Sequence, residues 1–465
     1  MVFIPSRMLK ILFVLFFALS PVLHAQQSAD IVGNWSGSIT VNGQELGIEF
    51  VFNYNQGEFD GTIDIPQQAA YNLPVEFTYV EADSMVFQFQ TGTGAAVFMG
   101  RLNESNDEIS GLFEQLGTRF PFSIIRQNQV SVSQSDSSGT NLVIPTESGQ
   151  RSGTLLQGDS QKPIVILITG SGSQDRDENV AGFRVFGELS EALLDSGYSS
   201  FRYDDIGVGE STGVEDATLQ DLADDLKDII EYLASNHVET FNDIVLLGHS
   251  QGGGVAALAA SGNELVDGII FMAAPFFGGD EIINQQIRAI SEAQNVSESV
   301  VEQNLEYQAR IYEVVRNNGD WAEVEEDLYE RLEEQMNMLS EQQRESLGDM
   351  DAFIRSQVSR QLAAAKTDWF RSFIELDPAE VVKTLQIPLL AIFGEKDMQV
   401  INEPNREAAD SLAENSEIDL NTVTIPEANH LFQQANTGMP GEYGMLEKRF
   451  AEGFLGAILE WLSGL

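Results

Sequence analysis

The 465-residue sequence predicts two folded parts in series: an antiparallel β domain, then a larger α/β domain with a doubly wound, mostly parallel sheet and a helical cap insertion. Three observations predict this. Hydrophobicity alternates with period two across residues 30–126, apolar strand-like runs alternate with amphipathic helical stretches from residue 142 onward, and acidic helical sequence interrupts that alternation over residues 278–371.

In the first part Ile48, Phe50, Phe52 and Tyr54 fall on one face of an extended chain, and short strands recur at 75–79 and 85–89 between turn signals. The opening Gly33-Asn34-Trp35-Ser36-Gly37, followed by glycine-containing strands such as Ile109-Ser110-Gly111-Leu112-Phe113, resembles small lipocalin-like barrels or sandwiches. Trp35 is expected to plug the core of such a domain rather than to line a ligand cavity. Residues 127–141, rich in Ser, Gln and Asp, read as a linker.

The second part, residues 142–465, places strands at 163–168, 198–203, 244–247, 267–274, 387–393 and 421–425. Helices are expected near 183–196 and 219–235, and a final one carries Phe450, Phe454, Leu455, Ile458 and Trp461. Within the 278–371 insertion Val324, Leu328, Leu332 and Met336 recur every fourth residue, an apolar stripe on an otherwise acidic helix. An insertion at this point of an open sheet stands above the carboxyl ends of the strands, where ligands bind, so it is expected to roof the site.

Residues 1–25 put Arg7 and Lys10 ahead of an apolar run over 11–19 and finish in Ser20-Pro21-Val22-Leu23-His24-Ala25. That order reads as a secretory signal peptide cleaved after Ala25, which implies export to the periplasm or medium and no stable membrane insertion afterwards. There is no cysteine, hence no disulfide, thiolate metal site or lipid-modified N-terminal cysteine. A formal charge of -47 excludes nucleic acid as a partner and suits a soluble protein in saline surroundings.

Gly248-His249-Ser250-Gln251-Gly252 lies between an apolar strand and a run of small residues, the pattern of a nucleophile elbow. Glycines two before and two after the serine let a strand turn sharply into a helix with Ser250 at the tip. A serine nucleophile needs a base, and the sequence has four histidines. His24 leaves with the signal peptide, His249 is adjacent to Ser250 and points elsewhere, and His237 ends a helix; His430, in a loop after the last strand, remains. Asp397 follows the 387–393 strand directly and is the expected partner of that base, with Glu395 as its local rival. The backbone N–H of Gln251 and one from the loop Gly170-Ser171-Gly172-Ser173, at Ser171 first and Gly170 next, are the expected oxyanion donors.

Together Gly170-Ser171-Gly172-Ser173-Gln174-Asp175-Arg176-Asp177, Arg202-Tyr203-Asp204-Asp205-Ile206-Gly207-Val208-Gly209, the elbow and Gly394-Glu395-Lys396-Asp397 resemble the α/β-hydrolase superfamily, specifically a group of bacterial serine carboxylesterases related to serine aminopeptidases and acyl-peptide hydrolases. The resemblance implies an α/β-hydrolase fold and a Ser250, Asp397, His430 triad acting on a small-molecule carboxylic ester without metal or cofactor. Ile206 stands where that group usually has arginine, and Ser173 where it often has proline. Asp175, Arg176 and Asp177 are expected to form an internal ion-pair brace. Two other functions fit the same residues less well: a peptidase or amidase using the same triad, and a non-catalytic protein whose β domain holds an apolar ligand.

Overall fold

The computed structural model describes residues 31–41, 44–55, 58–65, 70–81, 84–91, 94–103, 105–115, 118–126, 139–214, 216–337 and 350–465. The expected signal peptide and residues 127–138 of the linker lie outside these. The chain divides into two compact units, Met1–Gln134 with Trp321–Ala363, and Ser135–Asp320 with Ala364–Leu465.

In the first unit, β1 (Gly33–Val41), β2 (Gln44–Asn55), β3 (Glu58–Ile65), β4 (Ala70–Glu81), β5 (Ser84–Thr91), β6 (Gly94–Leu102), β7 (Glu108–Gln115) and β8 (Thr118–Arg126) form a closed antiparallel barrel. Closure comes from β8 returning to β1, with Trp35 opposite Arg126. Of the barrel and the sandwich, the chain forms the barrel, which leaves no unpaired edge strand. Period-two alternation turns Ile48, Phe50 and Phe52 inward while Val51 is 42% exposed. Phe87 and Phe98 stack with centroids 5.1 Å apart, and Phe122 meets Phe98 edge-on at 5.0 Å. Trp35 is buried in this aromatic core, donates from Nε1 to the Ile31 carbonyl over 2.9 Å, and carries the Arg126 guanidinium over its ring at 4.2 Å.

The second unit is built on an eight-stranded mixed sheet. Its strands are β9 (Thr140–Pro145), β10 (Gln150–Leu156), β11 (Ile164–Ile168), then, after the two-residue strands β12 (Asn179–Val180) and β13 (Phe183–Arg184), β14 (Ser199–Tyr203), β15 (Ile244–His249), β16 (Gly268–Met272), β17 (Leu389–Gly394) and β18 (Leu420–Ile425). They lie in the order β18-β17-β16-β15-β11-β14-β10-β9, with β10 antiparallel to both its neighbours, β9 and β14, and every other pair parallel. Thr140 and Asn141, the end of the expected linker, already belong to β9.

Every residue of β11, β15, β16 and β17 is buried, because helices cover both faces. Helices α1 (Val185–Asp195), α2 (Leu219–Asn236) and α3 (Gln251–Ala260) follow β13, β14 and β15 in the chain. Ile164, Ile166 and Ile168 pack with Leu226, Ile229 and Val255 of α2 and α3, whereas the intervening Val165 and Leu167 pack with Leu189 and Leu193 of α1. Helix α2 starts where its sequence says it should: Thr218 accepts from the Asp221 N–H, and Asp221 reaches back to the Thr218 N–H.

The described part of the insertion is mainly helical, with short turns between the helices. Helices α4 (Gly279–Ala293) and α5 (Glu298–Asn317) belong to the second unit. Helices α6 (Ala322–Asn337) and α7 (Met350–Ala363) group with the barrel, and the α6 stripe of Val324, Leu328, Leu332 and Met336 is buried. The chain then returns to the second unit with α8 (Asp368–Glu375), α9 (Pro378–Val382), α10 (Asn402–Asn415) and α11 (Phe454–Leu462). No helix of the described residues is long and apolar enough to cross a membrane.

Candidate active site

Strand β15 ends at His249 and α3 starts at Gln251, so the chain turns at Ser250, whose backbone is held at φ 52° and ψ -122°. That is a strained conformation for a serine, costing about 1–3 kcal/mol. Two glycines make it possible: a Cβ on Gly248 would stand 2.3 Å from the Gly252 carbonyl oxygen, and one on Gly252 would stand 2.4 Å from that of Ile168. The Ser250 N–H donates to the Met272 carbonyl of β16 over 2.9 Å and pins the turn to the sheet.

Asp397 stands just beyond the carboxyl end of β17 and is buried. Its Oδ1 accepts the Gln399 and Val400 N–H groups at 2.7 and 2.9 Å, which leaves Oδ2 facing His430 Nδ1 at 2.7 Å. Glu395 instead accepts the Glu427 N–H at 2.8 Å. His430 is set on a loop after β18 that Asn429 ties together, its Oδ1 accepting the N–H groups of Leu431 and Gln433. With Nδ1–H given to Asp397, His430 Nε2 carries the lone pair of a base. Neither that nitrogen nor Ser250 Oγ has a hydrogen-bond partner among the described residues, and such contacts commonly tighten only when substrate binds.

Of the expected donors, the Gln251 N–H opens α3 and the Ser171 N–H sits on an exposed loop; both are without a protein acceptor among the described residues. Gly170 differs. Its N–H donates to Glu178 Oε1 over 2.8 Å, so it is already engaged, although a Cβ at Gly170 would stand only 3.4 Å from the Ser250 Cβ. The same Glu178 oxygen is 2.7 Å from His249 Nδ1, and His249 Nε2 is 3.0 Å from the His430 carbonyl oxygen. Burial opposes a charge on His249, but the Glu178 carboxylate and its hydrogen bond, with the His430 carbonyl, hold its pKa above the ordinary imidazole value.

The loop after β11 is braced by ion pairs of Arg176 and Asp177, whereas Asp175, also expected in the brace, instead accepts the N–H groups of Asp177 and Asn179. Arg176 grips Asp204 through Nε at 3.0 Å and Nη2 at 2.6 Å, and Asp177 takes Arg184 and Arg202 at 2.8 and 2.7 Å. Burial works against the Asp177 charge, yet the two guanidinium groups keep its pKa below the usual carboxylate range.

A cavity of about 240 Å³ adjoins the elbow through Gly170 and Gln251. Ile206, Val214, Leu222, Val255 and Trp369 supply its apolar walls, Ile206 occupying the position at which arginine was expected. Two carboxylates also line it: Asp225, which is paired with the Arg151 guanidinium, and Asp205. Asp205 accepts from Thr169 Oγ1 and the Gln174 N–H, both at 2.8 Å, and burial pushes its pKa up to about 7. No group of three His, Cys, Asp or Glu side chains among the described residues is placed to hold a metal ion.

Glu178, Asp205 and Trp369 were missed by the sequence reading. For Asp205 a signal existed, since it is an acidic residue inside the Arg202–Gly209 motif that the resemblance rests on, whereas Glu178 lies one residue beyond the Gly170–Asp177 motif. Trp369 had none.

Residues 182–433, which include Ser250, Asp397 and His430, match the sequence profile of the family described as serine aminopeptidase, S33. The esterase EstD of Thermotoga maritima is 23% identical over 314 residues, covering 66% of this chain and 64% of EstD. Protein phosphatase methylesterase 1 of Candida albicans is 32% identical over 117 residues, 24% of this chain and 30% of that protein. The chain therefore spans less than two thirds of the length of either relative. Among solved structures, the esterase Pf2001 of Pyrococcus furiosus is 15% identical with a TM-score of 0.42, covering 70% of this chain and 90% of that one. A thermophilic esterase from Thermogutta terrifontis is 21% identical with a TM-score of 0.39, covering 70% and 98%.

Proposed function

The chain belongs to the serine aminopeptidase, S33, family of α/β hydrolases, and from that premise we propose that it is an exported serine carboxylesterase. The observation that carries the reading is the 2.7 Å contact of His430 Nδ1 with Asp397 Oδ2, in a fold whose strained elbow holds Ser250.

In this mechanism His430 Nε2 takes the Ser250 Oγ proton as Oγ bonds to the ester carbonyl carbon. Asp397 stabilises the imidazolium, and the N–H groups of Gln251 and Ser171 receive the oxyanion. Collapse of the tetrahedral intermediate breaks the bond to the alcohol, which leaves with the proton from His430. Water then attacks the acyl-enzyme by the same route, giving the acid and regenerating Ser250. The cavity walled by Ile206, Val214 and Trp369 takes an apolar group of the substrate, consistent with short to medium acyl chains. Through Trp369 the helical insertion contributes to substrate selection.

Replacing Ser250 with alanine is expected to abolish hydrolysis of short p-nitrophenyl acyl esters with the fold intact; retained turnover would overturn the reading. A peptidase reading is favoured by the family's description alone, and comparing acyl esters with aminoacyl amides decides between the two bonds. Against a ligand-binding role for the barrel stands the packing of its described interior with phenylalanine. Export rests on the basic, apolar and Pro-Ala order of residues 1–25. Recovery of a mature chain beginning at Gln26 from an exporting host tests it.

A further inference from the structure

Three loops must hold register for the chemistry proposed above: the elbow, the loop after β11 and the loop bearing His430. One buried pair touches all three. Glu178 Oε1 accepts the Gly170 N–H of the first loop at 2.8 Å and meets His249 Nδ1 of the elbow at 2.7 Å. His249 Nε2 meets the His430 carbonyl at 3.0 Å. Glu178 is 1% and His249 3% exposed, and Glu178 is held at φ 47°, a conformation rarely adopted by a side chain of this kind.

The partners dictate where the protons are. A backbone carbonyl only accepts, so His249 Nε2 must carry hydrogen. Nδ1 faces an oxygen that already accepts from Gly170, so a proton must lie between Nδ1 and Oε1 for that contact to be a hydrogen bond. Imidazolium with carboxylate, or imidazole with carboxylic acid, satisfies this equally; both hold one proton and both are neutral as a pair. Glu178 Oε2 is buried without a hydrogen-bond partner among the described residues, so no second cation among them shares the carboxylate. The other ionisable groups bearing on the pair are Asp397 and the His430 ring, 4.7 Å from that of His249, and Asp205 on the Glu178 side.

We infer that Glu178 and His249 are positioning residues for this active site, a pair whose single shared proton clamps the Gly170–Ser171 loop, the elbow and the His430 loop together. Neither touches substrate. When that proton leaves at high pH, a lone pair faces a carboxylate and the clamp opens, so activity falls on the alkaline side. The direction follows from the pair: Glu178 holds the His249 proton to higher pH than a free imidazole would.

The inference rests on the esterase reading, and the two fail differently. If the unaltered protein does not react at Ser250 with a fluorophosphonate probe, the esterase reading falls. If it reacts, E178Q and H249Q test the pair. In E178Q no placement of the amide satisfies Gly170 N–H, the Nδ1 of a neutral His249 and His430 C=O at once, and a charged His249 would lose its carboxylate counter-ion. The expected result is a kcat about 10- to 100-fold lower with KM little changed, since the reacting groups are misplaced rather than removed. The alkaline limb of the kcat profile should be lost or displaced in both variants, and Ser250 should still label, more slowly. Wild-type kcat and an unmoved alkaline limb in E178Q would overturn the inference. Should the variants fail to fold, nitrogen-15 NMR of the histidines in the unaltered protein decides: a proton on both His249 nitrogens, or a proton shared with Glu178, persisting to about pH 8 supports it. A His249 that titrates as a free imidazole and loses the Nδ1 proton near pH 6.5, or about there, refutes it.

Discussion

Trp369 Nε1 donates to Gln251 Oε1 over 3.1 Å, tying α8 to the residue that follows the elbow serine. The indole stacks on Phe373 at 5.6 Å and walls the cavity. Replacing Trp369 with alanine opens that wall and leaves the Gln251 backbone N–H in place. Selectivity should shift by about tenfold in kcat/KM toward bulkier acyl groups, the scale expected from a few apolar contacts. A panel of esters graded by acyl length checks this, and an unchanged ranking would remove Trp369 from substrate selection.

Asp397→Asn should be folded and almost inactive. The asparagine oxygen can still accept from Gln399 and Val400, but an amide nitrogen turned to His430 Nδ1 favours the wrong tautomer of the base. A fall in kcat of about 10⁴-fold is expected. Glu395→Gln, which keeps an acceptor for the Glu427 N–H, should leave kcat near the parent value. Comparable losses in both variants would mean that the carboxylate partner of His430 has been misassigned.

Much of this site is legible in the sequence because its constraints are local or exclusive. The elbow needs glycine at 248 and 252 whatever surrounds it, and a four-histidine chain leaves few candidates for a base. Asp397 was readable because it follows a buried strand by three residues. The Glu178–His249 contact was not, because it joins residues 71 apart whose side chains meet only after β15 and the loop after β11 are in place. For the same reason Gly170, glycine-rich loop and all, looked like an oxyanion donor until its N–H was seen bonded to Glu178. Alternation in the N-terminal strands announced β structure but left barrel and sandwich equal, since closure depends on the pairing of β1 with β8 across the whole domain.

Asp205 gives the stability a specific pH dependence. Its folded pKa of about 7 lies above the unfolded value of about 3.9, so between these the folded state holds a proton that the unfolded chain has lost. Its contribution therefore favours the fold at the acid end and declines as pH rises from about 4 to about 7. Asp205→Asn can accept from the Gln174 N–H and donate to Thr169 Oγ1, and should remove that decline. Urea unfolding of both proteins at pH 5 and pH 8, or about those values, measures the difference in slope. Identical slopes would mean that Asp205 is ionised throughout.

Two glycines should respond oppositely to alanine. Gly252→Ala drives a Cβ to within 2.4 Å of the Ile168 carbonyl oxygen and 2.5 Å of that of Thr169, and should cost about 3 kcal/mol or prevent folding. Gly456→Ala, on the exposed side of α11 with no atom within 4 Å of the new Cβ, should stabilise by about 0.5–1 kcal/mol. Thermal unfolding of both checks the pair, and a tolerated Gly252→Ala would mean that the elbow is looser than its geometry here.

The central claim is an acyl-enzyme on Ser250. Mass spectrometry of the full chain after reaction with a fluorophosphonate, followed by peptide mapping, tests it most directly. One adduct on the peptide containing Ser250, formed in step with loss of esterase activity and absent from Ser250→Ala, is the predicted result. Modification elsewhere, or full esterase activity in a chain whose Ser250 is completely blocked, would contradict it.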